Sequence, residues 1–277
     1  MKSVLRSKRL LALTFLTLVS LVVPAQLAFA GVSPPQDAAD LQSPGAAPLA
    51  ATYTVTTTAD SGAGSLRAAI EAANTNPGPD EITFSLAYPA TITLASALPS
   101  ISGNLTITGP GAASLTINGG GVARIFYVQT GVTVSISGLT LTGGNADRGG
   151  AIYNFGALTI TNSVLTSNTA TQVGGAIANT GAGTLTITGS TLSNNVAPTG
   201  GAIHHFGSNI TISASTIDNN QATDSTGGAI MSTMPITITT STLSNNQAQT
   251  GGGGILNFGS TLTITASLFY ANEALYG

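Results

Sequence analysis

The chain has 277 residues, of which only 6% are charged and 42% hydrophobic, and it contains neither Cys nor Trp. It is therefore no disulfide-stapled domain, and it lacks the charge-rich, apolar-poor composition of a disordered one. Lys2, Arg6, Lys8 and Arg9 fall at the extreme N-terminus, so the chain beyond residue 30 holds Arg67, Arg124 and Arg148 against ten acids, a net charge of −7. Phosphate binding needs clustered Lys and Arg, which argues against a nucleic-acid partner.

The first segment, residues 1–30, has four cations, then the apolar run from Leu10 to Val23, then the small-residue site Ala28-Phe29-Ala30. That is the pattern of a secretory signal peptide, and the apolar run is short for a membrane span. Residues 31–51, rich in Pro and Ala, read as a linker. Residues 52–100 form an N-terminal cap. Thr54–Thr58 reads as a strand, and Ser65 caps a helix whose apolar face is Leu66, Ala69, Ile70 and Ala73. The run from Asn76 to Asp80 ends it, and strand character resumes at Glu81. A helix at the end of a repeat array covers a strand edge that would otherwise invite aggregation.

Residues 101–277 are repetitive. Paired glycines open successive units at Gly149/Gly150, Gly174/Gly175, Gly200/Gly201, Gly227/Gly228 and Gly252/Gly253, spaced 25, 26, 27 and 25 residues apart. Within each unit an eleven-residue block aligns without gaps from Leu158, Leu185, Ile210, Ile236 and Leu262. Its first, third and eighth places are apolar, its second and fourth Thr or Ser, its sixth Ser and its last Asn. Strand alternation follows, with Ile and Leu inward and Thr outward. The Asn column (Asn168, Asn195, Asn220, Asn246, Asn272) and the glycine pairs are the expected structural residues. Asn tolerates a left-handed turn and its amides can bond from layer to layer, and Gly suits a corner of positive φ.

A leucine-rich repeat has a similar period, but the second half of these units has no helical periodicity. Three short strands and three turns fill about 26 residues, and the crossover preference sets the hand. The expected fold is an all-β, right-handed parallel β-helix with coils of about 25–27 residues, some seven layers and a strand–helix cap.

Gly-Gly-Ala-Ile at residues 149–152, 174–177, 200–203 and 227–230 alternates with a Phe-x-x-Asn-like block, literal at Phe206–Asn209 and Phe269–Asn272. These motifs resemble the repeats of polymorphic outer-membrane proteins. Gly64–Asn74 followed by Asp80–Phe84 is similar to the CSLREA-type segment preceding such β-helices, with Gly64 in place of its Cys and Ala68 in place of its Glu. The resemblance implies an envelope or extracellular location and, for some members, adhesion; it supplies no catalytic residue. Such proteins often continue into a barrel, stalk or sorting tail, so the array is expected to be truncated at its C-terminus, with self-association possible through the open last coil.

Chemistry-bearing residues are few. Beyond Arg148 the acids are Asp218, Asp224 and Glu273, with no Lys or Arg. A uronate lyase needs a basic residue and cations, and a glycosidase needs two spaced carboxylates, for which Asp218 and Asp224 are the candidates. Both read more simply as solvated turn residues. In the pair His204–His205, His205 occupies the place of Asn154, Asn179 and Asn257 in sister units, a turn-ladder position rather than a metal site. Asp147 and Arg148 read as an exposed loop. No catalytic, metal or cofactor residue is assigned. The Thr pairs (Thr159/Thr161, Thr186/Thr188, Thr211/Ser213, Thr237/Thr239, Thr263/Thr265) are expected to form a flat array exposed to water. They resemble the ice-binding face of some β-helical antifreeze proteins, although Thr is also common on exposed strands. The reading is a secreted or surface-displayed structural or adhesive module for an unknown protein or glycan ligand. Its alternatives are a carbohydrate-active β-helix enzyme with its site in further sequence, and an ice-binding face.

Overall fold

The computed structural model describes residues 49–276. The segment read as a signal peptide and residues 31–48 of the linker lie outside the described residues.

The first strand, β1 (Thr52–Val55), leads through a loop to helix α1 (Leu66–Thr75), which returns the chain to β2 (Asp80–Phe84), parallel to β1. The strand expected over Thr54–Thr58 stops at Val55, because the Thr56 and Thr57 amides turn aside to the Gly64 carbonyl at 2.9 and 3.3 Å. Ser65 Oγ accepts from the Ala68 amide at 3.2 Å, and Leu66, Ala69, Ile70 and Ala73 are buried against the first coils. The helix is further clamped through Arg67. Its guanidinium meets Asp60 Oδ1 at 2.8 Å and donates to the carbonyls of Ser96 and Ala97 at 3.0 and 2.6 Å. Asn74 does the same at the other end, donating to the Ser100 carbonyl and accepting from the Ser102 amide.

From there the chain winds as a parallel β-helix. Its longest sheet has nine strands in the order of the coils, beside sheets of eight, six and six strands. At a strand spacing of about 4.8 Å, nine layers make a stack about 38 Å long. Each full coil has four strand segments, not the three expected. One coil shows the path: Ala157–Thr161 in sheet 1, Val164–Thr166 in sheet 2, Thr169–Val173 in sheet 3 and Ile177–Asn179 in sheet 4. The fourth segment is sheet 3, whose inward residue is a small one: Ala170, Ala197, Ala222 and Ala248 are buried there.

The interior is stacked like on like. Leu158 pairs in register with Val134 and Leu185, and Ile160 with Ile136 and Ile187; the sheet 2 column runs Leu141, Leu165, Leu192, Ile217 and Leu243. All of these are buried. Each such side chain removed from water is worth roughly 1.5–3 kcal/mol, so the core rests on repetition of one modest layer. In the last described coil Leu262, Ile264 and Phe269 are exposed, with no strand stacked beyond them among the described residues.

Candidate functional site

The corners come first, because they fix what the faces can present. Between sheets 1 and 2 one residue per coil is left-handed: Asn162, Gly189, Ala214, Thr240 and Ala266, at φ of 48, 60, 47, 49 and 49°. Between sheets 2 and 3 it is Ser167, Asn194, Asn219, Asn245 and Ala271, at 55, 55, 52, 52 and 51°. The expectation that the Asn column itself adopts the left-handed turn is therefore corrected: the left-handed residue is the one before it. This turns Asn168, Asn195, Asn220 and Asn246 inward, where they are buried. Asn168 Oδ1 accepts from the Gly144 amide at 2.9 Å, and each later Oδ1 accepts from the backbone amide and Nδ2 of the Asn one coil earlier, as Asn220 does from Asn195 at 3.0 and 3.0 Å. The Nδ2 of each also donates to a carbonyl of the coil before, Leu192 in the case of Asn220. Ser163, Ser190, Ser215, Ser241 and Ser267 make a parallel ladder at the other corner, Ser163 Oγ accepting the Leu139 amide at 3.4 Å and each later hydroxyl the amide of the Ser before it at 3.1 Å.

The two glycines of each pair do different things. Gly149, Gly174, Gly200, Gly227 and Gly252 have φ between 59 and 71°. Gly150, Gly175, Gly201 and Gly228 do not, but a Cβ on any of them would strike the carbonyl of the second glycine one coil on, and on Gly253 the backbone of Glu273. The first glycine is needed for conformation and the second for close approach.

Sheet 1 presents the Thr array. Thr159/Thr161 stand in register with Thr186/Thr188, then Thr211/Ser213, Thr237/Thr239 and Thr263/Thr265. The expectation that the whole array is exposed is corrected. Thr159, Thr161, Thr186, Thr188, Thr211, Thr237 and Thr239 are half-buried, and only Thr263 and Thr265 are exposed. Strands about 4.8 Å apart bring each outward side chain against its counterparts on the coils before and after, which shield its flanks from water. Thr188 shows a second departure, since its Oγ1 lies 3.1 Å from Ser213 Oγ on the next coil and is hydrogen-bonded to it. Its hydroxyl is thus engaged within the array rather than free for a ligand. Thr263 and Thr265 lie on the last described coil, with a neighbour on one side only.

Sheet 4 presents a different surface, which the sequence reading missed. Its outward column runs Tyr127, Tyr153, Ala178, His204, Met231 and Leu256, in register. Two residues further along the same face stand Phe155, Thr180, Phe206, Thr233 and Phe258. Each is hydrogen-bonded through its amide to the preceding coil, at 3.0, 2.9, 2.8, 3.3 and 2.8 Å. Tyr153 lies 4.5 Å from Phe155 and 5.5 Å from Tyr127, the latter edge-on at 83°, and His204 stacks on Phe206 at 4.6 Å and 19°. Arg124 closes one end, its guanidinium 5.0 Å from the Tyr153 ring centre and paired with Asp147 at 2.5 Å. The available signal was Phe recurring at alternate units in Asn154-Phe155-Gly156, His205-Phe206-Gly207 and Asn257-Phe258-Gly259.

The remaining chemical groups are committed elsewhere. Asp218 Oδ1 accepts from Ser244 Oγ at 2.6 Å and Asn245 Nδ2 at 2.8 Å, and Asp224 stands exposed beyond the next corner. Asp80 and Glu81, adjacent on β2, point to opposite faces; Asp80 accepts from the Ala51 amide and Asn76, Glu81 from Thr108. Asp147 and Arg148, read as a loop, end a short strand of sheet 3, Asn145–Arg148. His205 is buried in the sheet 4 ladder, its Nδ1 2.9 Å from Asn179 Nδ2, and burial pulls its pKa down to about 4. His204 is also held at about 4, by burial first and then by the positive charge of Arg148. No group of three or more His, Cys, Asp or Glu gathers to hold a metal among the described residues.

Fold and faces together define a parallel β-helix with polar ladders at its corners, one Thr-lined face and one aromatic face. Residues 240–257 match the family model of the Chlamydia polymorphic membrane protein repeat. The match runs from the sheet 1–2 corner through Asn246 and the glycine pair to Asn257, so the resemblance read from the Gly-Gly-Ala-Ile units is borne out. Among solved structures the chain is similar to Jun a 1, the major allergen from cedar pollen, at 18% identity and a TM-score of 0.46. That alignment covers 77% of this chain and 65% of the allergen, less than two thirds of its length. No curated protein matches the sequence.

Proposed function

We propose that the chain is a secreted, surface-displayed β-helix that works as an adhesive scaffold without catalysis. The observation that carries this reading is the commitment of its polar groups: the Asn, Ser and second Asn/His ladders spend most of their donors and acceptors on joining coils, with His205 Nε2 and Asn257 Oδ1 the ladder atoms buried without a partner. Three of the acids fit the same picture. Asp218 is tied to the next coil, Asp60 to Arg67 and Asp147 to Arg124. General acid–base work needs two such groups converging on one reacting bond. The match to a polymorphic membrane protein repeat supports an outer-membrane or cell-surface location.

An antibody raised against residues 49–276 tests the reading on intact producing cells. Surface labelling, together with adhesion of beads coated with the purified chain, is the expected result. Labelling that requires permeabilised cells overturns it.

A further inference from the structure

We propose that the outer face of sheet 4 is a platform for an uncharged β-1,4-linked pyranose chain, with Phe155, Phe206 and Phe258 each stacking on every second sugar ring. This rests on the adhesive-scaffold reading above and names the ligand of that scaffold.

The periodicity is the first argument. Phe occupies this column at alternate coils, with Thr180 and Thr233 between. Two coils separate successive Phe residues by about 9.6 Å. In a β-1,4-linked pyranose chain each ring is turned over relative to its neighbour. The same apolar C–H face therefore recurs at every second ring, one disaccharide along, which is the step of the Phe column. The intervening Thr180 and Thr233 are half-buried, Thr180 with its Oγ1 covered, so this column offers a ring only at every second coil. Phe206 and Phe258 are 42% and 55% exposed, whereas Phe155, packed against Tyr127 and Tyr153, is half-buried and offers its outer side alone.

Charge complementarity is the second argument. No Asp, Glu, Lys or Arg occurs between Gly149 and Ile217, which includes the sheet 4 strands holding Phe155, Thr180 and Phe206. An acidic polymer would find cations only at one end of that face: Arg124, already bonded to Asp147 and to the Arg148 and Gly149 carbonyls, and Arg148, whose Nε donates to Gln172. An uncharged polymer meets an uncharged face. Ala178 and Thr180 divide the Tyr127–Tyr153–Phe155 cluster from His204 and Phe206, and Thr233 stands between Phe206 and Phe258 beside Met231 and Leu256. A protein partner would need a patch of about 800 Å² per side, whereas separate rings suit separate sugars.

The test is calorimetric titration of the full chain with cellohexaose and with the β-1,4-linked N-acetylglucosamine hexamer, using maltohexaose as the α-linked control. One β-linked hexamer is expected to bind at least about tenfold tighter than its own dimer, and Phe206→Ala to weaken it about tenfold, the scale of one lost aromatic contact. Phe258→Ala serves as a second variant, and an unchanged thermal melt shows that either has folded. Absence of binding by both β-linked hexamers at millimolar concentration overturns the proposal. Equal binding of maltohexaose, or indifference to both Phe variants, overturns it as well. A dimer in sedimentation that Phe206→Ala dissociates would assign the stripe to a second copy instead. None of these failures touches the labelling of intact cells, so the scaffold reading fails or stands separately.

Discussion

Asn179 Nδ2 and His205 Nδ1 lie 2.9 Å apart across one coil, both buried, in a column where Asn154 already donates to Asn179. Because the amide donates, the ring nitrogen must keep its lone pair, so His205 is neutral in the folded chain. Its pKa is lowered to about 4, as is that of His204. In the unfolded chain both return to about 6.5. Between those values the unfolded state binds more protons than the folded one, so stability falls as pH drops from about 6.5 towards 4. Urea midpoints measured across that window should fall with pH, and His205→Asn should flatten the decline. A profile that is flat for the parent chain contradicts the assignment.

Neighbouring asparagines should behave unequally. Asn220 is buried and bonded to three coils, whereas Asn219 beside it is exposed with φ of 52°. Asn220→Ala strands the Asn195 amide inside the stack and should cost about 1–3 kcal/mol for each group left unpaired. The melting temperature should then drop by several degrees, at roughly 2–4 °C per kcal/mol for a domain of this size. Asn219→Ala removes a residue suited to the left-handed turn and one exposed hydrogen bond, from its Nδ2 to Asn194 Oδ1, and should cost about 1 kcal/mol. Equal melting shifts for the two would contradict the ladder.

Thr240 is a β-branched residue held at φ of 49°, exposed at the corner where a sister coil has Gly189. That conformation is costly for a branched side chain and free for glycine. Thr240→Gly should therefore stabilise the chain, by about 1 kcal/mol. A lower melting temperature for this variant would show that the corner is not strained.

The two faces can be separated by thermal hysteresis. If sheet 4 is the binding face, the chain should depress freezing no more than an equal mass of albumin. The half-burial of the Thr array and the engagement of Thr188 with Ser213 favour that outcome. Hysteresis abolished by Thr186→Lys would move the functional surface to the Thr array of sheet 1.

Much of this fold was legible because stacking repeats one layer's chemistry in the sequence. Leu158/Ile160 and their counterparts show a period of two, and the helix face of Leu66, Ala69, Ile70 and Ala73 reads correctly because its apolar spacing is helical. The same alternation places Thr188 and its sister residues outward, but the shielding of one coil by the next is a property of the stack and leaves no mark in a single unit. Sheet 3 escaped because strands such as Val196–Ala197 and Gln221–Ala222 are two residues long and bury only Ala, which produces no hydrophobic alternation. Its trace was the recurrence of Asn-x-Ala, from Asn168-Thr169-Ala170 to Asn272-Glu273-Ala274. The left-handed corners escaped for another reason. Stacking enforces their conformation whether Asn, Gly, Ala, Ser or Thr is present, so the column shows no single residue type. The aromatic stripe alternates Phe with Thr, and aligning one unit against the next blurs a feature whose period is two units.

The most direct test of the central claim, a scaffold that holds its ligand without breaking it, is prolonged incubation of the purified chain with soluble β-1,4-linked glucan. Polymer length is then read by size-exclusion chromatography. The account predicts polymer of unchanged length with the protein co-eluting on it. Shortened polymer, with new reducing ends, would contradict it.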